Sequence, residues 1–218
     1  VLYKLIMKKP HFTPIPNLQL PTLSINDLES LHTICKEFNI EHIRLTPGNQ
    51  LSLSNLDEAD NQALIKKLST VMKPMPTNGI TSIHTCADCT TCDNTTLDTS
   101  QITAQLENLI LPTPMPAKIK VAVAGCKRCC TMPLVRDIGL TPIGKRWRLS
   151  FGGNGGRNPR IADIIAEGLN EIEAIDLTRR CLVVYQKHAD RNMRTSAFID
   201  KFGLITFKDK IFPKKESS

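Results

Sequence analysis

Apolar and polar residues alternate in VLYKLIMK at the start of the chain, the period of a half-buried strand. A Pro-rich stretch through Pro21 reads as a loop. From Ser24 the period lengthens: Ile25, Leu28, Leu31, Ile34, Cys35 and Phe38 recur at helical spacing, with Asp27 placed for an N-terminal cap. HIRLTPGNQLSLSNL predicts two short strands around a Pro-Gly-Asn turn. A second helix is predicted from Leu56 to Met72 on Leu64, Ile65, Leu68, Val71 and Met72. KPMPTNG ends it and marks a boundary, dividing the chain into residues 1–77 and 78–218.

Beyond the boundary, a short apolar segment from Ile80 runs into a group of cysteines. A helix follows over Ser100 to Leu109, then the proline-punctuated LPTPMP. KIKVAVAG has the β-branched pattern of a buried strand, and DIGLTPIG and RWRLSFGG read as two more. GGNGGRNPR is a glycine-rich connection. Three helices are predicted over Ile161 to Leu169, Glu171 to Ala189 and Arg194 to Phe202, before a basic tail, Lys208 to Lys215. The order of elements predicts an α+β fold: a small ferredoxin-like βαβ N-terminal unit, then a larger mixed α/β domain.

At 218 residues, 41% hydrophobic and 22% charged, the composition is that of a globular protein with a sizeable core. No apolar run approaches the roughly 20 residues a membrane-spanning helix needs. The opening segment lacks the pattern of a secretory signal, so a cytoplasmic location and no membrane partner are expected. The net charge of +7 points to an acidic partner. With aromatics at 5% and no recognised motif, nucleic acid is not the expected one. An acidic cofactor or an acidic electron-donor protein uses the same charge.

Six of the eight cysteines fall in two short groups, Cys86, Cys89, Cys92 and Cys126, Cys129, Cys130, while Cys35 and Cys181 stand apart in helical patterns. Clustering of this kind argues for a metal centre rather than a disulfide framework. The first group reads as C-x2-C-x2-C or, with Cys89 a bystander, as C-x5-C. Under the former, the next ferredoxin ligand would fall at Thr96, so that pattern fails. The second group reads as C-x3-C with Cys129 the bystander. Zinc is the competing metal: a C-x2-C knuckle exists in the first group and none in the second. Without the cysteine pairs, the glycine-rich segment would read as a plain turn.

A C-x5-C pair, some thirty residues, then G-C-x3-C after a strand resembles the siroheme nitrite/sulfite reductase family. VRDIGL at Val135 to Leu140 is similar to a strand of that family. So is GGNGGRNPR at Gly152 to Arg160, and IADIIAEGLNEIEAI, Arg194-Thr195 and FIDKFG continue the likeness. The match covers about residues 80–207 well and the first part weakly.

The resemblance implies that Cys86, Cys92, Cys126 and Cys130 hold a [4Fe-4S] cluster, with Cys130 bridging to a siroheme. Siroheme carries eight carboxylates, which implies a basic pocket: Arg157 and Arg160 first, with Arg128 and Arg136 beside the ligands. Gly152, Gly153, Asn154, Gly155 and Gly156 would let backbone approach the ring. The stretch holding Thr46, Asn49 and Gln50 resembles a T-x-N-Q cofactor-binding segment. It carries no arginine where the family's substrate-binding segment has one. Cations for sulfite or nitrite would then come from a second copy of the chain in a homodimer, or from Lys118 and Lys120, helped by Arg44. A ferredoxin-like acidic protein is the implied electron donor. The expected function is multi-electron reduction of sulfite or nitrite. The alternatives are an electron-transfer or siroheme-handling protein without that activity, and a zinc-stabilised nucleic-acid binder.

Overall fold

The computed structural model describes residues 11–20, 23–46, 48–54, 56, 61–86 and 92–212. The strand expected at residues 1–8 lies outside them. The chain divides into two compact units, Val1–Met75 and Pro76–Ser218.

In the first unit the expected Pro-rich loop contains two short strands, β1 (Phe12–Pro14) and β2 (Leu18–Gln19). Burial of Ile15 and Leu18 draws this segment in, and Ile15 N–H donates to the Leu51 carbonyl at 2.8 Å. Pro14 is tolerated because β1 is an edge strand, where a missing N–H breaks no ladder. α1 (Ile25–Glu37) starts on a full capping box: Ser24 Oγ accepts from Asp27 N–H, and the Asp27 carboxylate accepts from Ser24 N–H. β3 (Ile43–Leu45) and β4 (Leu51–Ser54) flank the expected turn, giving the antiparallel order β1-β4-β3. Within the predicted second helix the structure shows α2 (Asn61–Leu68), with residues 57–60 outside the described set. β5 (Lys73–Pro74) pairs with β2. The core joins Leu31, Ile34 and Cys35 to Leu51, Leu53, Leu64 and Leu68.

The second unit is a five-stranded mixed sheet with helices on one face. Its elements are β6 (Ser82–Thr85), α3 (Ser100–Glu107), β7 (Lys120–Val123), β8 (Ile138–Ile143), β9 (Arg146–Phe151), β10 (Asp163–Leu169), α4 (Glu171–His188), α5 (Thr195–Phe202) and α6 (Leu204–Ile211). The order is β10-β9-β8-β7-β6; β6, β7 and β8 are mutually parallel, and β9 and β10 continue antiparallel. Residues 163–169, expected as helix, are strand β10. Ile164 and Ile165 suit either period, and pairing with β9 decides between them, with register shifts between Ile164 and Ala166 and between Ala166 and Leu169, the second interval holding Gly168 at φ +73°. The expected basic tail is helical as far as Ile211, because Phe207 and Ile211 are fully buried.

The two faces of this sheet differ. Ile119, Val121, Val123, Ile138, Leu140, Trp147, Leu149 and Phe151 all enter one core, with Leu177, Cys181, Tyr185, Phe198 and Phe207 from the helices. Strand alternation therefore turns Lys120, Ala122, Gly139, Arg148 and Ser150 to the opposite face. Across that face runs the connection from β7 to β8, residues 124–137. Parallel strands usually cross over through a helix; here the crossover is irregular apart from one 3-10 turn, Pro133–Val135. Gly139 makes room for it, since a Cβ there would stand 2.4 Å from the Pro133 carbonyl oxygen.

Candidate functional site

The cysteines gather at the carboxyl ends of β6 and β7, the side on which open α/β sheets bind ligands. Cys86 directly follows β6, and Cys126 opens the crossover after β7. Gly125 is where the two cysteine segments meet. Its N–H donates to Cys86 Sγ at 3.1 Å, and its carbonyl accepts from Thr96 and Leu97 N–H at 2.7 and 3.1 Å. A Cβ at this position would stand 3.0 Å from Leu97 O and 3.3 Å from Cys86 Sγ, so only glycine allows this approach without displacement. Cys92 lies just before that segment, its carbonyl accepting from Thr95 N–H. The backbone N–H of Asn94 and the Thr95 hydroxyl hold the Cys92 thiol below the ordinary range.

The second group sits on two successive tight turns, Cys129 N–H to Cys126 O and Met132 N–H to Cys129 O. Cys129 and Met132 adopt φ of +53° and +55°, uncommon for non-glycine residues. Cys126 is buried, Cys129 part-buried and Cys130 exposed; burial, then neighbouring Cys126, pushes the Cys129 thiol up. A cavity of about 170 Å³ opens beside Cys126, bounded by Thr96, Lys127, Arg128 and the β8–β9 turn at Gly144. Among the described residues no three His, Cys, Asp or Glu side chains converge at metal-binding distance. The backbone thus brings the two cysteine loops together, without a closed ligand set. Cys89 lies outside the described residues. Cys35 and Cys181 are buried core thiols.

The implied iron–sulfur group fits the donors present: soft thiols from two loops, with a backbone N–H already aimed at one sulfur. Positive charge collects at the opposite ends of the parallel strands. There, burial and the neighbouring Arg194, Arg136 and Lys118 hold the Lys120 ammonium below the ordinary lysine range, while Asp137 opposes them. Lys118 precedes β7 and is an electrostatic neighbour of Lys120, its first residue. Arg136 Nε is buried without a hydrogen-bond partner.

The glycine-rich loop packs directly on this region. Gly152 N–H donates to Asp137 O at 2.9 Å, and a Cβ on Gly153 would stand 2.5 Å from Arg136 O. Asn154 and Arg160 exchange backbone hydrogen bonds at 2.9 and 2.8 Å, and Asn154 Oδ1 accepts from Gly156 N–H. Gly155 and Gly156 are exposed. Arg160 is engaged within the chain: Nε to Asp200, Nη1 to the Gly152 and Ile161 carbonyls, and Nη2 to Asp163. It pins the loop to α5 instead of offering a free fork. Arg157 is exposed and Arg128 is exposed beside the cavity.

In the N-terminal unit Arg44 stacks over the Phe12 ring, 4.0 Å from its centroid. Thr46 Oγ1 accepts from Gly48 and Gln50 N–H, Asn49 takes φ +58°, and Gln50 Nε2 donates to Ile15 O. These three residues build the β3–β4 turn.

Asp137 was not singled out by the sequence pattern. It is 1% exposed and accepts from Lys120 N–H, from Arg194 Nε and Nη2, and from Thr195 Oγ1. Those partners lie 17, 57 and 58 residues away, so no local motif displays the arrangement.

Comparison with known proteins agrees with this layout. The family model "Nitrite and sulphite reductase 4Fe-4S domain" matches residues 77–217, and the chain belongs to that oxidoreductase family. Among curated relatives, the assimilatory-type sulfite reductase of Nitratidesulfovibrio vulgaris is 26% identical over 197 residues, covering 90% of both chains. The nitrite reductase [NAD(P)H] large subunit of Klebsiella oxytoca is 28% identical over 205 residues, or 89% of this chain and 21% of that one. The fold matches Mycobacterium tuberculosis NirA with a TM-score of 0.71 at 15% identity, over 89% of this chain and 38% of that one. It matches dissimilatory sulfite reductase I at 0.72 and 10% identity, over 92% and 68%. No helix among the described residues is long and apolar enough to cross a membrane.

Proposed function

We propose that this protein reduces sulfite or nitrite, holding a [4Fe-4S] cluster on Cys86, Cys92, Cys126 and Cys130 beside a siroheme. The observation that carries the reading is the Gly125 junction, which seats both cysteine loops on one backbone position. When bound, the two groups would supply electrons and an open iron position for the anion. Cys130, the exposed member of its loop, would be the ligand that the resemblance associates with both groups. Gly125 N–H would stabilise negative charge on the Cys86 sulfur.

The chain's own cations do the rest. Lys118, Lys120, Arg136 and Arg194 draw in the anion and offset charge as its bonds to oxygen break. Lys120 Nζ, whose proton is loosened by burial and like charges, is the proton donor of this reading. Arg157 and Arg128 are the free forks for ring carboxylates, with the backbone of Gly152–Gly156 approaching the ring. Thr46, Asn49, Gln50 and Arg44 are assigned to the cofactor and substrate through the resemblance alone. An acidic electron-donor protein fits the net charge of +7.

A second reading is electron transfer without six-electron chemistry. It is favoured by one relative's name, the assimilatory nitrate reductase electron transfer subunit of Bacillus subtilis, 23% identical over 199 residues and one quarter covered. Anaerobic purification followed by iron, sulfide and siroheme assays tests the cofactors. Oxidation of reduced methyl viologen by sulfite, then by nitrite, separates the readings: turnover with either supports reduction. Bound cofactors with no turnover support electron transfer, and absence of iron refutes both.

A further inference from the structure

We infer that Asp137 is the positioning residue of the basic site, fixing Arg194 and the start of β7 so that their charges converge on one anion. The inference rests on the proposed anion site and names the group that shapes it. A carboxylate 1% exposed is costly to bury unless its oxygens are well satisfied. Here Asp137 accepts from donors on two separate segments: Lys120 N–H at the start of β7, and the start of α5, where Arg194 caps the helix and Thr195 opens it. Its own backbone is fixed too, through Gly152 N–H on Asp137 O.

The geometry leaves the cations free to act outward. Arg194 gives Nε and Nη2 to Asp137, a two-bond fork that sets the guanidinium plane, while its side chain stays 38% exposed. Arg194, Arg136 and Lys118 are each close enough to act on Lys120, and among the described residues Asp137 is the carboxylate that opposes them there. One negative charge among four positive ones does not neutralise the site. Arg136 Nε, buried and without a partner, points to the same deficit of acceptor. Asp137 therefore assembles the positive charge without cancelling it.

This makes a prediction whose sign separates positioning from simple charge. Were the site only a sum of charges, removing Asp137's charge would strengthen anion binding. If Asp137 supplies the geometry, the same change weakens it. The test uses the full chain as purified, with inorganic sulfate as probe and isothermal calorimetry as readout; circular dichroism checks that each variant is folded. Asp137→Asn is expected to bind sulfate about tenfold more weakly, the scale of one displaced charged hydrogen-bond pair. Arg194→Lys keeps the charge and loses the fork, and should weaken binding by a similar factor. The double variant should be little worse than either single one, since both remove the same arrangement. Thr195→Val, which removes one hydrogen bond and no charge, should lose about two- to threefold.

Folded Asp137→Asn binding sulfate as tightly as the parent, or more tightly, overturns the inference. If Asp137→Asn does not fold, Arg194→Lys decides in its place, and unchanged affinity there overturns it. Should the parent protein bind no sulfate, the anion site and the inference fail together. Because the probe reads binding by the chain's own side chains, loss of reductase turnover alone leaves the inference standing.

Discussion

On one face of the five-stranded sheet, Val121, Leu140, Leu149 and Phe151 share one core with residues of α4, α5 and α6. On the other face, Lys120, Ala122, Gly139 and Ser150 lie under an irregular crossover that carries three cysteines. The first face is filled by side-chain volume, with Phe151 stacked on Phe207 at 4.8 Å and edge-on to Tyr185 at 6.3 Å. The second depends on missing volume, at Gly139 below the crossover, at Gly125 within it and at Gly153 beside it. Stability is thus stored on one side of the strands and the proposed metal chemistry on the other, with alternate residues of the same strands serving both.

The largest expected effect breaks the helical face. Phe151→Ala should cost about 3–5 kcal/mol, measured by denaturant unfolding, while iron bound per folded molecule stays near the parent value. A cost under about 1 kcal/mol would show that the aromatic stack is not where stability resides. On the opposite face, Gly139→Ala forces a Cβ against the Pro133 carbonyl and should cost about 1–3 kcal/mol. Unlike Phe151→Ala, it should also lower iron per folded molecule, because the displaced segment carries Cys126 and Cys130. Full iron retention would detach the crossover's seating from metal loading.

A smaller effect sharpens the contrast inside the cysteine region. With metal removed, Cys92 keeps a lowered value and Cys129 a raised one, so the Cys92 thiolate forms first as pH rises. Below the ordinary thiol value of about 8.5, iodoacetamide should label Cys92 several-fold faster than Cys129. The gap should narrow as pH passes the raised value of Cys129. Peptide mapping reads the order, and equal rates throughout would contradict the assigned hydrogen bonds at Cys92.

The sequence made some of this legible and hid the rest for physical reasons. Cysteine spacing and the glycine-rich segment are local signals, and both fall in the cofactor-side unit. Ser24 and Asp27 announced α1 because a capping box spans four consecutive residues. Ile161 to Leu169 misled because apolar pairs fit both periods, and only pairing with β9 selects a strand. Lys208 and Lys210 disguised α6, whose buried Phe207 and Ile211 face the core between them. The role of Arg160 was hidden because its acceptors come from the loop and from α5. Asp137 could not be found by spacing, since its partners become neighbours only once the sheet and α5 are assembled.

Residues 124–137 hold a position in the topology that a helix usually fills, and a helix would carry its own hydrogen bonds. This crossover has few of its own and leans on Gly125, Gly139 and whatever its thiols grip. A pull on those thiols is therefore transmitted to the seam between β7 and β8. Chelation should loosen that seam before the rest of the sheet, so a metal-poor nascent chain would be marked by its central strands rather than by its ends.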